Sequence, residues 1–170
     1  RFAEEGAKLV IAGRTTDKGE ALAKELGGNV IFQRADVLKE TDIAALVDTA
    51  QSRFGRLDCL FNNAGASTPC KLESVTSEQF TSNMQLLVGS VVFGIKHAIR
   101  VMKPQGSGSI INNASVAAHR YGQGDVLFSS AKAAVAHLTR LAGVELGRFG
   151  IPGNAISPGA IATPIFWGGS

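Results

Sequence analysis

Ser115, Phe128 and Lys132 are the residues whose types and spacing point most directly to chemistry. Ser115 follows an apolar run at 109–114 that predicts a buried strand, so its hydroxyl group is expected at the carboxyl end of that strand. Phe128 and Lys132 begin a segment with helical apolar spacing, and they are predicted to share one helix face. A hydroxyl group, an aromatic ring and an ammonium group are therefore expected at one spot.

This arrangement resembles the signature of the short-chain dehydrogenase/reductase family, in which a strand-end serine is followed at this spacing by Tyr-x-x-x-Lys. The resemblance implies that Ser115 hydrogen-bonds a substrate carbonyl and that Lys132 binds the nicotinamide ribose. In the family, the tyrosine passes a proton to or from the substrate oxygen while a hydride moves to or from nicotinamide, and the lysine lowers the pKa of that tyrosine. Phe128 stands at the tyrosine position and has no group that can carry the proton.

Composition limits the classes of function. The chain has 170 residues, 45% of them hydrophobic, which is enough for one domain with a substantial core. Its net charge is +3 and the basic residues are scattered, so no nucleic-acid partner is predicted. Its apolar stretches are interrupted by glycines and no signal-like start is present, so no membrane partner and a cytoplasmic location are predicted. The histidines and cysteines lack ligand spacing, so no metal site is predicted, and Cys59 is expected to be a buried strand residue.

Strands and helices alternate along the whole chain. The predicted strands lie near 7–12, 29–34, 57–61, 109–114 and 154–157, and the predicted helices near 17–26, 41–54, 76–102 and 128–148. This order indicates an α/β fold with a doubly wound, Rossmann-like parallel sheet in three αβα layers. Ligands bind beyond the carboxyl ends of the strands in such sheets, and the polar motifs of this chain lie there.

The chain is interpreted as a single partial dinucleotide-binding domain over residues 1–170. Its first residues read as the last turns of a helix whose beginning is missing. The resemblance implies that the first, central strand and the glycine-rich loop that cradles the pyrophosphate would lie before Arg1. A sheet without that strand is expected to have a gap in its middle.

The resemblance also assigns cofactor-binding roles to strand-end residues. Asp36 and Val37 are implied to border the adenine, and the turn at 63–65 to let the backbone approach the cofactor, although such a turn alone would also fit ordinary turn chemistry. The loop at 158–163 is implied to cover the nicotinamide, with the Ile161 backbone and the Thr163 hydroxyl meeting the carboxamide or pyrophosphate. The implied set is Arg14, Asp36, Val37, Asn63, Ala64, Gly65, Lys132, Pro158, Gly159, Ile161 and Thr163.

Arg14 bears on the choice between NADP and NAD. An acidic residue at the corresponding strand end would bind the ribose hydroxyls of NAD and repel the extra phosphate of NADP. Here Gly13 stands at that position and is followed by Arg14, whose guanidinium can pair bidentately with a phosphate. The sequence therefore predicts NADP rather than NAD; the alternative is that Arg14 is a solvent-exposed loop residue.

The helix at 76–102 has an apolar stripe broader than one sheet face needs. It is either deeply buried or packed on a second subunit, and the resemblance favours a homo-oligomer through the helices at 76–102 and 128–148. The family also carries an asparagine on the first of these helices that holds a proton-relay water, and counting back from Gly89 puts Leu86 at that position.

Two functions stay open. One is an NAD(P)-dependent oxidoreductase that interconverts a small alcohol and a ketone by hydride transfer. The other is a catalytically silent nucleotide-binding or dimerising protein of the same fold, because Phe128 lacks a proton-carrying group. Tyr121 follows Ser115 in the loop, but no lysine lies one turn away to tune it.

Overall fold

The computed structural model describes residues 1–66 and 69–163, and in that part of the chain strands and helices alternate as predicted. The strands are β1 (Leu9–Gly13), β2 (Val30–Arg34), β3 (Cys59–Asn62), β4 (Ser109–Asn113) and β5 (Gly153–Ile156). The helices are α1 (Thr16–Leu26), α2 (Glu40–Phe54), α3 (Ser77–Met84), α4 (Ser90–Gln105) and α5 (Val126–Gly147), with short 3-10 turns at Leu72–Ser74 and Val116–Ala118.

The described strands pair in parallel. β1 pairs with β2, with Leu9 opposite Val30, and β4 lies between β3 and β5, with Ile110 opposite Gly153. No ladder among the described residues joins β1 to β3, so the strands form a two-stranded and a three-stranded sheet. This is the gap expected for a doubly wound sheet without its central strand. It leaves β3 at an edge, and for that reason Cys59 is exposed and the prediction that it is buried was wrong.

Helices pack on the strands of both sheets, and the buried apolar residues lie mainly along α4, β4 and α5. α1 packs on β1 and β2, α2 on β1 and α4, α4 on β3, and α5 on β4 and β5. The central cluster joins side chains of α4, β4 and α5. Each Å² of apolar surface buried there stabilises the fold by about 25 cal/mol. Its buried members are Val91, Ile95, Ala98, Met102, Ile110, Ala114, Val135, Ala136, Ala142, Leu146 and Ile151.

The helix predicted over 76–102 is longer and less regular than expected. Its capping box is present, since Thr76 Oγ1 accepts from the Gln79 amide and Gln79 Oε1 accepts from the Thr76 amide. A π-helical turn at Gln85–Gly89 joins α3 to α4, and α4 continues past the predicted end to Gln105. Pro104 lies in the last turn, where it removes one backbone hydrogen bond without breaking the helix, and left-handed Gly106 (φ 66°) ends it.

One described helical stretch, Ser77–Gln105, has the length and apolar composition of a membrane-crossing helix. Core helices meet the same criterion, and α4 buries Val91, Ile95 and Met102 in the central cluster. Packing within the fold therefore accounts for part of its apolar character.

A chain of buried polar side chains ties β3, β4 and α5 together. Asn62 Nδ2 donates to Asn112 Oδ1 at 2.8 Å, and Asn112 Nδ2 donates to Thr139 Oγ1 at 2.9 Å. Thr139 in turn donates to the Val135 carbonyl at 2.7 Å. Asn112 is fully buried, so this chain fixes the position of α5 relative to the sheet.

Gly94 on α4 lies directly against this chain. A Cβ atom there would come within 2.2 Å of Asn62 Oδ1, and the Asn62 amide is held by Asn112. We predict that Gly94→Ala lowers the free energy of unfolding by about 1–3 kcal/mol through overpacking, measured by urea denaturation. Gly147→Ala is the matched control, because a Cβ at Gly147 meets nothing within 4 Å. Equal stability of the two variants would contradict close packing at Gly94.

Candidate active site

Lys132 lies on α5, and its side chain reaches the end of β4. Only 6% of the residue is exposed, and its Nζ donates to the Asn113 carbonyl at 2.6 Å. Burial lowers the pKa of its ammonium group from 10.5 to about 8. The start of α5 is fixed by Asp125, whose Oδ1 accepts from the amides of Leu127 and Phe128.

Phe128 lies beside Lys132, as the four-residue spacing predicts. The centre of its ring is 5.6 Å from Lys132 Nζ. The ring packs on the loop that precedes α5, since a Cβ at Gly124 would come within 2.9 Å of it. Tyr121 in the same loop is fully exposed and points away from this packing. The Phe128 ring is thus held beside Lys132, and it carries no hydroxyl group.

Ser115 follows β4 by two residues and begins the turn at Val116–Ala118. Its Oγ accepts from the Ala117 amide at 3.2 Å, and the hydroxyl hydrogen is left to donate to another oxygen. The Val116 amide donates to the Pro158 carbonyl at 3.0 Å, which joins this turn to the loop after β5. Ser115 and Pro158 are therefore brought together at one end of the three-stranded sheet.

The turn after β3 contacts the same spot. Asn113 Nδ2 donates to Asn63 Oδ1 at 2.8 Å. A Cβ at Gly65 would lie 3.1 Å from Leu87 and 3.9 Å from Lys132 Nζ, so the backbone of this turn approaches the lysine closely. Ala64, between Asn63 and Gly65, is exposed.

Leu87, and not Leu86, is the helix residue that faces the turn after β3. The turn at Gln85–Gly89 is π-helical and contains an extra residue, so sequence counting does not tell which side chain points inward. Leu87 is 1% exposed and apolar. Neither Phe128 nor Leu87 offers a group that can exchange a proton.

Asn113 is a site residue that the sequence analysis missed, because it reads there as part of a strand. Its carbonyl holds Lys132 and its Nδ2 holds Asn63. Its Oδ1 is buried and has no hydrogen-bond partner among the described residues. Such an acceptor is costly unless a ligand or a water molecule supplies a donor.

The remaining predicted residues lie apart from Lys132. Arg14 lines an open cavity of about 240 Å³ with Thr15 and Lys18, between the end of β1 and α1. Asp36 and Val37 are half-buried after β2, and no hydrogen bond or ion pair among the described residues links them or Arg14 to Lys132.

The loop after β5 extends from the Ser115 turn into solvent. Gly159, Ile161 and Thr163 are exposed, and Thr163 donates through its amide and its hydroxyl to the Ile161 carbonyl. In the described part of the chain, no group of three or more His, Cys, Asp or Glu side chains is placed to hold a metal ion.

Comparison with known proteins identifies the family. A family model described as enoyl-(acyl carrier protein) reductase matches residues 1–169. Levodione reductase has a solved structure that superposes with a TM-score of 0.91 at 36% identity, over 97% of this chain and 66% of that chain. A structure described as a short-chain dehydrogenase/reductase from Burkholderia xenovorans gives a TM-score of 0.89 at 31% identity, over 96% of this chain and 66% of that chain. The chain belongs to the short-chain dehydrogenase/reductase family.

Curated members of the short-chain dehydrogenase/reductase family are similarly close. Momilactone A synthase of Oryza sativa subsp. japonica is 40% identical over 96% of this chain and 61% of its own length. Levodione reductase of Leifsonia aquatica is 37% identical over 97% of this chain and 64% of its own length. The chain therefore spans less than two thirds of the relatives that it matches.

The burial of Lys132 predicts a pH-dependent stability. Between pH 8 and 10.5 Lys132 is protonated in the unfolded chain but largely neutral in the folded one, so the unfolded chain binds more protons than the folded chain does. The buried ammonium group therefore destabilises the fold fully below pH 8, and this destabilisation is relieved as the pH rises. The free energy of unfolding of the parent minus that of Lys132→Met is expected to rise by up to about 3 kcal/mol from about pH 7 to about pH 10.

Urea denaturation across this pH range measures that difference. Lys24→Met, on an exposed residue of α1, is the control and should give a constant difference. A constant difference for Lys132→Met as well would contradict a lysine that is destabilised by burial.

Proposed function

We propose that this chain carries the dinucleotide-binding and catalytic core of an oxidoreductase that uses NADP(H) to interconvert a small alcohol and a ketone. The observation that carries the proposal is the junction at the end of β4, where the buried Lys132, the Phe128 ring and the turn after β3 meet. The family match over residues 1–169 supports the same reaction class.

The residues at the strand ends fit a dinucleotide. The unpartnered Asn113 Oδ1 needs a hydrogen-bond donor, such as a ribose hydroxyl or a bridging water molecule. Lys132, Asn63 to Gly65 and the loop at 158–163 would hold the nicotinamide half of the cofactor, and Arg14, Asp36 and Val37 the adenine half. A bound nicotinamide ring supplies or accepts the hydride.

Two cations favour NADP(H) over NAD(H). Arg14 and Lys18 line the same cavity at the end of β1, and neither forms an ion pair with an acidic side chain in the described part of the chain. Phe32 and Leu22 form an apolar wall of this cavity, and Arg14 and Lys18 are exposed on it. A phosphate on the adenosine ribose would pair with this positive charge, whereas the neutral hydroxyl of an unphosphorylated ribose would not.

Ser115 and Lys132 perform the steps that do not need the missing hydroxyl. The Ser115 hydroxyl donates to the substrate oxygen and orients it, and the Lys132 ammonium group stabilises negative charge that develops nearby. Phe128 has no group that can carry the proton, so the proton comes from solvent in ketone reduction and passes to solvent in alcohol oxidation. We infer that hydride transfer by this chain is slow.

The second candidate function is a catalytically silent nucleotide-binding protein. It is favoured by Phe128, whose ring has no group that can exchange a proton. The two candidates differ in turnover and not in cofactor affinity.

A second copy of the chain is the proposed partner of α4 and α5. Exposed apolar side chains lie on both helices, with Val92 40%, Leu141 56% and Val144 85% exposed. A homo-oligomer through the helices predicted at 76–102 and 128–148 would cover them. The cytoplasmic location and the absence of nucleic-acid and membrane partners stay predictions from the sequence.

Phe128→Tyr tests the oxidoreductase. The added hydroxyl lies beside Lys132, and a positioned acid or base contributes about a hundred- to ten-thousand-fold. We expect the variant to reduce ketones with NADPH, and oxidise alcohols with NADP⁺, at least a hundredfold faster than the parent by that estimate. NADPH affinity, measured by fluorescence titration, should not change.

Phe149→Tyr is the matched control, because Lys103 Nζ also lies over that ring, at 4.3 Å. It should leave turnover at the parent level. A Phe128→Tyr variant that binds NADPH and remains inert on a broad panel of alcohols and ketones would favour the silent binder instead.

Arg14→Met tests the choice of cofactor. Loss of a charge-assisted phosphate contact should weaken NADPH binding about tenfold or more and leave NADH binding unchanged. Dissociation constants at two salt concentrations measure this, and the exposed Arg53→Met on α2 is the control. An equal loss for both cofactors would contradict a phosphate contact.

A further inference from the structure

We propose that Asp42 is a positioning residue for cofactor binding: by holding the backbone of Asp36, it fixes the turn that would bind the adenine. Asp42 lies in the first turn of α2, and its Oδ2 accepts a hydrogen bond from the Asp36 amide at 2.9 Å. The inference rests on the proposed function, because Asp36 and Val37 are the residues proposed to border the adenine. Asp42 itself is not part of the proposed adenine-binding set.

The loop between β2 and α2 closes on itself around this bond. The Leu38 amide donates to Asp36 Oδ1 at 3.1 Å, and the Lys39 amide donates to the Asp36 carbonyl at 2.9 Å. The Asp36 amide is the remaining backbone group of that residue, and Asp42 satisfies it. Asp36 is thus held at its amide, carbonyl and carboxylate, and Oδ2 of its carboxylate has no hydrogen bond in the described part of the chain and could accept from a further donor such as the adenine amino group.

Both ends of the loop are fixed. On the strand side, the Ala35 amide donates to the Gly13 carbonyl at 3.0 Å and the Ala35 side chain is buried. On the helix side, α2 buries Ile43 and Val47 immediately after Asp42. Asp42 therefore transmits the position of a packed helix to a strand-end turn.

A second set of contacts holds α2 itself. Glu40 Oε1 accepts from Lys96 Nζ at 2.6 Å and lies 3.0 Å from His97 Nε2, both on α4. The hydrogen bonds from Lys96 and His97 lower the pKa of the Glu40 carboxyl group. Asp48, two turns further along α2, pairs with Arg100 of α4. The helix that carries Asp42, α2, is therefore fixed to α4, which packs on the three-stranded sheet.

Substitutions at Asp42 separate positioning from folding. Asp42→Ala removes the acceptor and is expected to weaken NADPH binding about tenfold. Asp42→Asn keeps an acceptor oxygen and should restore affinity to within about twofold of the parent. Glu25→Ala, on the exposed surface of α1, removes a carboxylate outside these contacts and should bind NADPH as the parent does.

The cofactor fragment tests where the effect acts. Reduced nicotinamide mononucleotide has no adenine, so Asp42→Ala should bind it with the affinity of the parent. Equal loss of both ligands, or an Asp42→Asn variant as weak as Asp42→Ala, would overturn the positioning role. So would an Asp42→Ala variant that binds NADPH normally.

Hydrogen exchange of the Asp36 amide supplies a readout that does not depend on the cofactor. The exchange is expected to be slow in the parent and in Asp42→Asn, and at least about tenfold faster in Asp42→Ala. Fast exchange in the parent would overturn the inference by itself. A parent protein that binds neither NADPH nor NADH would instead overturn the proposed function, and with it the ligand part of this inference.

Discussion

The hydrogen bond from Lys132 to the Asn113 carbonyl is the contact on which the candidate site depends. It joins α5, the longest helix, to the end of β4, the central strand of the three-stranded sheet. Because the lysine is buried, its ammonium group is costly to keep charged, and the carbonyl is the acceptor that compensates. The turn after β3 and the Phe128 ring are arranged around this lysine.

The polar chain through Asn62, Asn112 and Thr139 makes that contact possible. Apolar packing fixes the register of a helix on a sheet less narrowly than directional hydrogen bonds do. The hydrogen bonds require one register between β3, β4 and α5, so Lys132 arrives beside Asn113. The specificity of the site thus comes from buried amides that perform no chemistry.

The two sheets are proposed to bind different parts of the dinucleotide. The β3-β4-β5 sheet carries the groups that would meet the reacting end of a dinucleotide, whereas the β1-β2 sheet carries the charges and the turn that would meet its adenosine end. Among the described residues, α2 and α4 form the helical connection between these halves. In this proposal, contacts such as those of Glu40 and Asp42 contribute to binding although they lie away from the reacting groups.

The sequence by itself determined the element order, the family and the placement of Phe128 beside Lys132. Those features follow from local periodicity and strand-end spacing, which the chain carries in neighbouring residues. Sequence reasoning was wrong on the burial of Cys59 and on the end of the helix predicted over 76–102. The first depends on strand pairing between segments far apart in the chain, and the second on a proline that the last helical turn accommodates.

Only the tertiary structure decided the roles of Asn113 and Asp42. Both are ordinary polar residues in the sequence, one in a strand and one in a helix. What distinguishes them is a hydrogen bond to a backbone group: Asn113 accepts from Lys132, and Asp42 accepts from the Asp36 amide. Such bonds require a distance and an orientation between separate elements, and no pattern of residue types along one element specifies them.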